Sequence, residues 1–269
     1  MRRTALANVM IGAARKAART IQRDFGEVEN LQVSLKGPSD FVSATDRRVE
    51  QILHEELERA RPGYGFLMEE SGRHDGDDRT HRWIVDPIDG TTNFLHGIPL
   101  FAVSIALERD GELVAGLIYN PISDEIFFAE KGTGAFLNDR RIRVAARQDL
   151  SHSVLTCGIP HNQRGDTDLF AREIQSVQSQ VAGIRRSGSA ALDLAWLAAG
   201  RFDGYWERGL SAWDIAAGII LVREAGGLVG DIDGADDVLK TGNILAANGA
   251  LYPQIEKSLR IATRSGLSK

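Results

Sequence analysis

Residues 83–94, Trp83-Ile84-Val85-Asp86-Pro87-Ile88-Asp89-Gly90-Thr91-Thr92-Asn93-Phe94, restrict what this chain can fold into more than any other stretch. The apolar run Trp83-Ile84-Val85 reads as a buried strand that delivers Asp86 at its end. Pro87 fixes φ and stiffens the turn that follows. Asp89 stands three residues further on, and Gly90 permits a close backbone approach. Thr91-Thr92-Asn93 then reads as a helix start whose unsatisfied N–H groups face the same point. One turn thus offers two carboxylates, the Ile88 carbonyl, the Thr91 hydroxyl and anion-binding amides. An aspartate-rich loop that merely caps a helix is the structural alternative.

Further carboxylates weigh against that alternative. Glu69-Glu70-Ser71 follows the apolar run Phe66-Leu67-Met68, so an acid again ends a strand. Asp214 follows Trp213 at the head of an apolar helix, where the dipole also favours a carboxylate. Convergence of Glu69, Asp86, Asp89 and Asp214 would bring roughly four negative charges within a few ångströms, a cluster that stays ionised near pH 7 only beside cations. Two divalent ions match it. The donors are all hard oxygens, which favours Mg²⁺, with Mn²⁺ as the alternative, over zinc. His54, His74, His81, His96, His152 and His161 are dispersed without ligand spacing and read as structural or solvated.

Around these motifs the period of apolar residues changes along the chain. Leu6, Val9, Met10, Ala13, Ala14, Ala17 and Ile21 predict an amphipathic helix from residue 4 to about residue 25. A polar loop containing Lys36-Gly37-Pro38-Ser39-Asp40 follows. Thr45 and Asp46 are N-cap types for a second helix that turns Val49, Ile52, Leu53 and Leu57 inward. Short strands come next, among them Phe101–Leu107 and Leu113–Tyr119 flanking the hairpin signal Asp110-Gly111. The second half alternates: strands near 153–157, 203–207 and 244–247, with helices near 169–181, 189–199, 213–225 and 254–261. A soft boundary near residue 148 divides 1–148, carrying most of the acidic motifs, from 149–269. With 269 residues, one or two tightly joined domains is the expectation.

Composition excludes little but points one way. A formal net charge of −5 disfavours direct nucleic-acid binding or an anionic membrane surface. The single cysteine, Cys157, leaves no internal disulfide and reads as a small buried apolar residue. Met1-Arg2-Arg3-Thr4 leads into an Ala-rich helix instead of an apolar signal core, and no run reaches the ~20 apolar residues of a membrane span. A cytoplasmic location is the expectation.

Asp86-Pro87-Ile88-Asp89-Gly90-Thr91-Thr92-Asn93 resembles the signature of the inositol monophosphatase family. Trp213-Asp214-Ile215-Ala216-Ala217-Gly218, followed by Glu224-Ala225-Gly226-Gly227, resembles its second signature. Glu69-Glu70-Ser71 and Asp40-Phe41-Val42-Ser43-Ala44-Thr45-Asp46 match in the family's order, and the likeness spans about residues 5 to 260. Arg185-Arg186-Ser187-Gly188-Ser189-Ala190-Ala191-Leu192-Asp193-Leu194-Ala195 is most similar to the bacterial SuhB-like branch.

The resemblance implies an α+β fold, a five-layer αβαβα sandwich of the sugar-phosphatase type, usually a homodimer, with two or three Mg²⁺ ions and inhibition by lithium. It implies Glu69, Asp86 and the Ile88 carbonyl at a first metal, and Asp86, Asp89 and Asp214 at a second, with Asp86 bridging. A third, weaker ion would sit near Glu69. Thr91 and Asp46, with Glu69, would orient the attacking water. The Gly90 and Thr91 amides would hold phosphate oxygens, and Gly188, Ser189, Ala190, Glu207 and Asp214 would line the substrate. Lys36 matches a lysine near the metal loop.

The activity so implied is Mg²⁺-dependent hydrolysis of a small polyol or sugar phosphate, foremost inositol 1-phosphate. Fructose-1,6-bisphosphatase, histidinol-phosphatase and 3′-phosphoadenosine-5′-phosphate phosphatase share the metal core. A bisphosphate substrate would need further cations, for which Arg164, Arg185 and Arg186 are candidates. A role as a partner of the transcription or ribosome-assembly machinery is the alternative of another class, with Arg140-Arg141-Ile142-Arg143 as a basic group. Trp196 reads as core or dimer interface.

Overall fold

Alanine spacing explains the outermost layer. In α1 (Ala5–Phe25) the buried residues Ala7, Met10, Ala14, Ala17, Ala18 and Ile21 recur at helical spacing, and Arg15, Lys16 and Arg19 stay exposed. Small side chains let this helix lie close to α2 (Ala44–Ala60), which buries Val49, Leu53 and Leu57. The computed structural model describes residues 3–25, 27, 33–37, 40–160 and 165–265. His161, Arg164 and the side chain of Lys36 lie outside the described part.

The segment expected as a polar loop contains two strands instead. These are β1 (Val33–Gly37) and β2 (Asp40–Ser43), paired antiparallel. Helix α2 starts at Ala44, so Thr45 and Asp46 lie inside its first turn and do not cap it.

Residues 64–142 then build one sheet. Its strands are β3 (Tyr64–Met68), β4 (Gly72–His74), β5 (Asp78–Asp89), β6 (Ala102–Arg109), β7 (Glu112–Asn120), β8 (Glu125–Glu130), β9 (Gly134–Leu137) and β10 (Arg140–Ile142). The order is β10-β9-β8-β7-β6-β5-β3-β4, antiparallel except for the parallel pair β3–β5. The short helix α3 (Thr91–Leu95) leaves the end of β5. Asp110 and Gly111 both take positive φ, as the tight turn between β6 and β7 demands.

The remaining elements are β11 (Val154–Cys157), α4 (Thr167–Gln178), β12 (Gly183–Arg185), α5 (Ala190–Ala198), β13 (Gly204–Glu207), α6 (Ala212–Glu224), β14 (Leu228–Asp231), α7 (Val238–Thr241), β15 (Ile244–Ala247) and α8 (Tyr252–Ser265). The second sheet runs β12-β11-β13-β15-β14, parallel over its first three strands and antiparallel beyond.

Strand periodicity assigns the layers. Val85, Val103, Ile105, Leu117 and Phe128 pack with α1 and α2, whereas their neighbours Ile84, Ala102, Ala106, Ile118 and Phe127 pack with α5 and α6. In the second sheet Tyr205, Ile244 and Ala246 join the α5–α6 layer. Trp206, Leu245 and Ala247 turn the other way, into a cluster completed by Val177 of α4 and by Ile255 and Leu259 of α8. The result is the αβαβα sandwich expected. Its central layer, α5 and α6, is covered by a sheet on each side. Both helices are therefore apolar on most of their surface, Asp193 of α5 and the two ends of α6 apart, which is why neither shows an amphipathic stripe in the sequence.

Candidate active site

The site forms where β5 ends against the starts of α5 and α6. Alternation puts Asp86 on the same face of the large sheet as Ile84, toward the α5–α6 layer. Its register partner on β6 is Ser104, whose hydroxyl donates to the Trp213 carbonyl at 3.2 Å. That bond ties the head of α6 to the strand and brings Asp214, the next residue, over Asp86. The backbone N–H of Ser211 donates to Asp214 Oδ2 at 2.7 Å, which orients the carboxylate at the first turn of α6.

Asp89 is held by the other helix. Its Oδ2 accepts from the Ser189 hydroxyl and from the Ala191 N–H, the latter at 2.7 Å. Asp86, Asp89 and Asp214 thereby come together, each offering an oxygen within 4.8 Å of the others. No histidine or cysteine joins them among the described residues. Glu69 lies outside this triplet but shares a hydrogen bond with Asp86. Its own N–H donates to the Val85 carbonyl at 3.2 Å, which aligns the end of β3 with β5.

The turn itself is built as its residues require. Asp86 Oδ1 accepts the Ile88 N–H at 2.9 Å. Gly90 has φ 97°, and a side chain there would approach the Leu100 carbonyl at 3.0 Å and the Gly188 carbonyl at 3.2 Å. The Thr91 hydroxyl lies 3.0 Å from Asp46 Oδ1 and 3.1 Å from the Ile88 carbonyl. Asp46 is fully buried beneath it. The Asn93 side-chain amide donates to the carbonyls of Leu100 and Ser187, at 2.6 and 2.9 Å, and so stitches this turn to the segment 187–190.

Burial and mutual repulsion act together on the acids. Burial first, then the charges of Glu69, Asp89 and Asp214, hold the Asp86 carboxyl well above the usual carboxylate range. Burial pushes Asp89 up to about 6 even against the Ser189 and Ala191 hydrogen bonds, and burial together with Asp89 raises Asp214. Burial and repulsion thus favour the neutral forms of Asp86 and Asp214, a bias that a bound cation would reverse, and the oxygen-only donor set fits a hard divalent cation. On the rim, the Tyr205 hydroxyl donates to Glu207 Oε2 at 2.7 Å. Burial raises the Glu207 carboxyl to about 7.

Three supporting contacts were not evident from the sequence. Ser189, expected on the substrate rim, also grips Asp89, and Asn93 and Tyr205 hold neighbouring groups in place. Asn93 lies within the 83–94 motif, so a signal existed for it. Nothing local marks Tyr205. Cys157 is buried, as expected, and Trp196 is half-buried against the α5–α6 cluster.

Comparison with known proteins agrees with this geometry. The chain is 61% identical to the inositol-1-monophosphatase of Mesorhizobium japonicum over 97% of its own length and 98% of that protein. It is 43% identical to a Nus factor SuhB of Pseudomonas aeruginosa over 90% of both chains. The crystal structure of the extragenic suppressor protein SuhB from Bartonella henselae superposes with a TM-score of 0.93 at 57% identity, covering 95% of this chain and 98% of that one. The profile of the inositol monophosphatase family matches residues 2–266, so the chain belongs to that family and is a hydrolase of phosphate monoesters.

Proposed function

We propose that this enzyme hydrolyses inositol 1-phosphate to myo-inositol and phosphate, with Mg²⁺ held by Asp86, Asp89, Asp214, Glu69 and the Ile88 carbonyl. The observation that carries this reading is the convergence of three buried or half-buried aspartates beside the Thr91–Asp46 pair. Bound Mg²⁺ supplies charge neutralisation and Lewis-acid polarisation of the phosphate ester. Two ions, with Asp86 shared between them, and a third near Glu69 are the proposed complement, and lithium is the proposed inhibitor.

The protein groups do the positioning. The Thr91 hydroxyl has one proton and two acceptors in reach, Asp46 and the Ile88 carbonyl. Its lone pairs are therefore turned to accept a hydrogen bond from a water, and Asp46 is placed to take up proton density through that hydroxyl. The Gly90 and Thr91 amides at the start of α3 orient phosphate oxygens. Gly188, Ser189, Ala190 and Glu207 meet the polyol hydroxyls. We further propose a cytoplasmic homodimer divided near residue 148. Among the described residues no helix is long and apolar enough to cross a membrane.

The test is a phosphate-release screen over inositol 1-phosphate, fructose 1,6-bisphosphate, histidinol phosphate and 3′-phosphoadenosine 5′-phosphate, with and without Mg²⁺. Preference for another member of the set moves the substrate assignment, and turnover independent of divalent ions sinks the metal reading. A second reading, a partner of the transcription machinery, is favoured by the similarity to proteins named Nus factor SuhB. It predicts co-purification with transcription complexes that survives loss of turnover in Asp86→Asn.

A further inference from the structure

Glu50 is 5% exposed, and neither the metal reading nor the Thr91–Asp46 pair makes use of it. It lies on α2 four residues after Asp46, hence on the same helix face. Each of its carboxyl oxygens has a backbone partner. Oε2 accepts the Glu70 N–H at 2.8 Å, and Oε1 accepts the Ser71 N–H at 2.9 Å.

Those amides belong to the turn that carries Glu69. Met68 pairs with Gly72 across β3 and β4, so residues 69–71 are the whole connection between the two strands. All three of its N–H groups are committed. That of Glu69 goes to the Val85 carbonyl of β5, and the next two go to Glu50. The turn is thus hung from the sheet by one bond and from α2 by two. β4 is the three-residue edge strand of the sheet, so no further strand steadies the turn from outside. A cleft of about 420 Å³ opens on this side of α2, lined by Gln51 and His54 of the helix and by Ser71 and His74 of the hairpin. Water entering it can satisfy the two amides once the carboxyl is removed, but water does not hold them at a set distance from the helix.

We propose that Glu50 is a positioning residue, a double acceptor that clamps the turn 69–71 to α2 and thereby sets where the Glu69 carboxyl stands beside Asp86. This role rests on the reading of Glu69 as a ligand of the bound cation. Asp46 and Glu50 are one helical turn apart, so a single stretch of α2 locates both the Thr91 hydroxyl and the turn bearing Glu69.

The experiment compares full-length wild type, Glu50→Ala, Glu69→Ala and the double variant. Mg²⁺ binding is read by titration calorimetry, and hydrogen exchange is read on the metal-free protein. Exchange of segment 69–72 quickens about tenfold or more in Glu50→Ala, while the rest of the large sheet keeps its wild-type rates. The Mg²⁺ dissociation constant rises about tenfold in Glu50→Ala. Added to Glu69→Ala, the same substitution changes it by no more than about twofold, because the clamp acts only through Glu69. A general loosening of the fold would weaken binding by the same factor in both backgrounds. Unchanged exchange at 69–72, or equal losses of Mg²⁺ affinity in both backgrounds, overturns the proposal. Wild-type affinity in Glu69→Ala removes Glu69 from the ligand set and the positioning role with it. A weakened Glu69→Ala beside an unaffected Glu50→Ala removes the positioning role alone. If Glu50→Ala does not fold, Glu50→Gln takes its place. Its amide keeps one acceptor oxygen, so both measurements should move in the same directions by about threefold, and no movement in either counts against the proposal.

Discussion

Thr91 and Asp86 separate positioning from charge at the scale of single residues. Thr91→Val removes the hydroxyl at nearly constant volume and leaves Asp46 buried without it. Phosphate release should fall about a hundredfold with KM changed little, the signature of a lost proton relay. Thr91→Ser should retain most of the rate, because the hydroxyl is kept. Asp86→Asn should cost roughly a thousandfold in turnover or more, since Asp86 stands among Asp89, Asp214 and Glu69 at the centre of the proposed cation site. Burial and the charges of Glu69, Asp89 and Asp214 favour the neutral form of Asp86 in the metal-free protein, so the substitution replaces a carboxylic acid by an uncharged amide of the same shape. The metal-free Asn variant should therefore melt no lower than wild type at neutral pH. A collapse in its melting temperature would show Asp86 to be a structural acid instead.

At the scale of elements, the approach of α6 to the large sheet sets where Asp214 stands. Gly116 on β7 makes that approach possible. A Cβ there would lie 2.5 Å from Ile220 Cγ2 and 2.7 Å from the Ala217 carbonyl of α6. The carbonyl belongs to the helix backbone and cannot swing aside, so Gly116→Ala should push the helix away at a cost of about 1–3 kcal/mol. Calorimetry should show a melting point lower by several degrees. The Mg²⁺ concentration for half-maximal activity should rise as well, because Asp214 travels with the helix. A melting loss without any change in metal requirement would mean that the head of α6 is held by the Ser104–Trp213 bond alone.

The whole molecule carries an excess of buried acid at one point, and its stability should record that. Asp89 is raised to about 6 and Glu207 to about 7 in the folded chain, whereas both lie near 4 when unfolded. The protonated forms are the ones the fold favours. Their contribution is complete below pH 4 and is lost as pH rises through 6 to 7. For Asp89 alone the loss is about 3 kcal/mol. The melting temperature of the metal-free protein should accordingly fall between pH 4.5 and 7.5. Mg²⁺ should raise it far more at pH 7.5 than at pH 5, since ionised carboxylates bind the cation and protonated ones do not. Equal Mg²⁺ stabilisation at both pH values would contradict a carboxylate site.

Local chemistry made much of this legible in the sequence alone. The apolar run into Asp86, the rigid Pro87, the permissive Gly90 and the apolar helix behind Asp214 each announce their element, because the cause lies within a few residues of the effect. Strands β4, β12 and β14 are short, and their pairing comes from neighbours distant in the chain, so nothing in 72–74, 183–185 or 228–231 marks them. The same holds for the site. Which residues are acidic was plain, but that Ser189 holds Asp89 and that Ser104 anchors α6 over Asp86 is decided by contacts across 100 and 109 residues of chain. Burial and repulsion between carboxylates act through space, and only the folded arrangement determines how close such groups come.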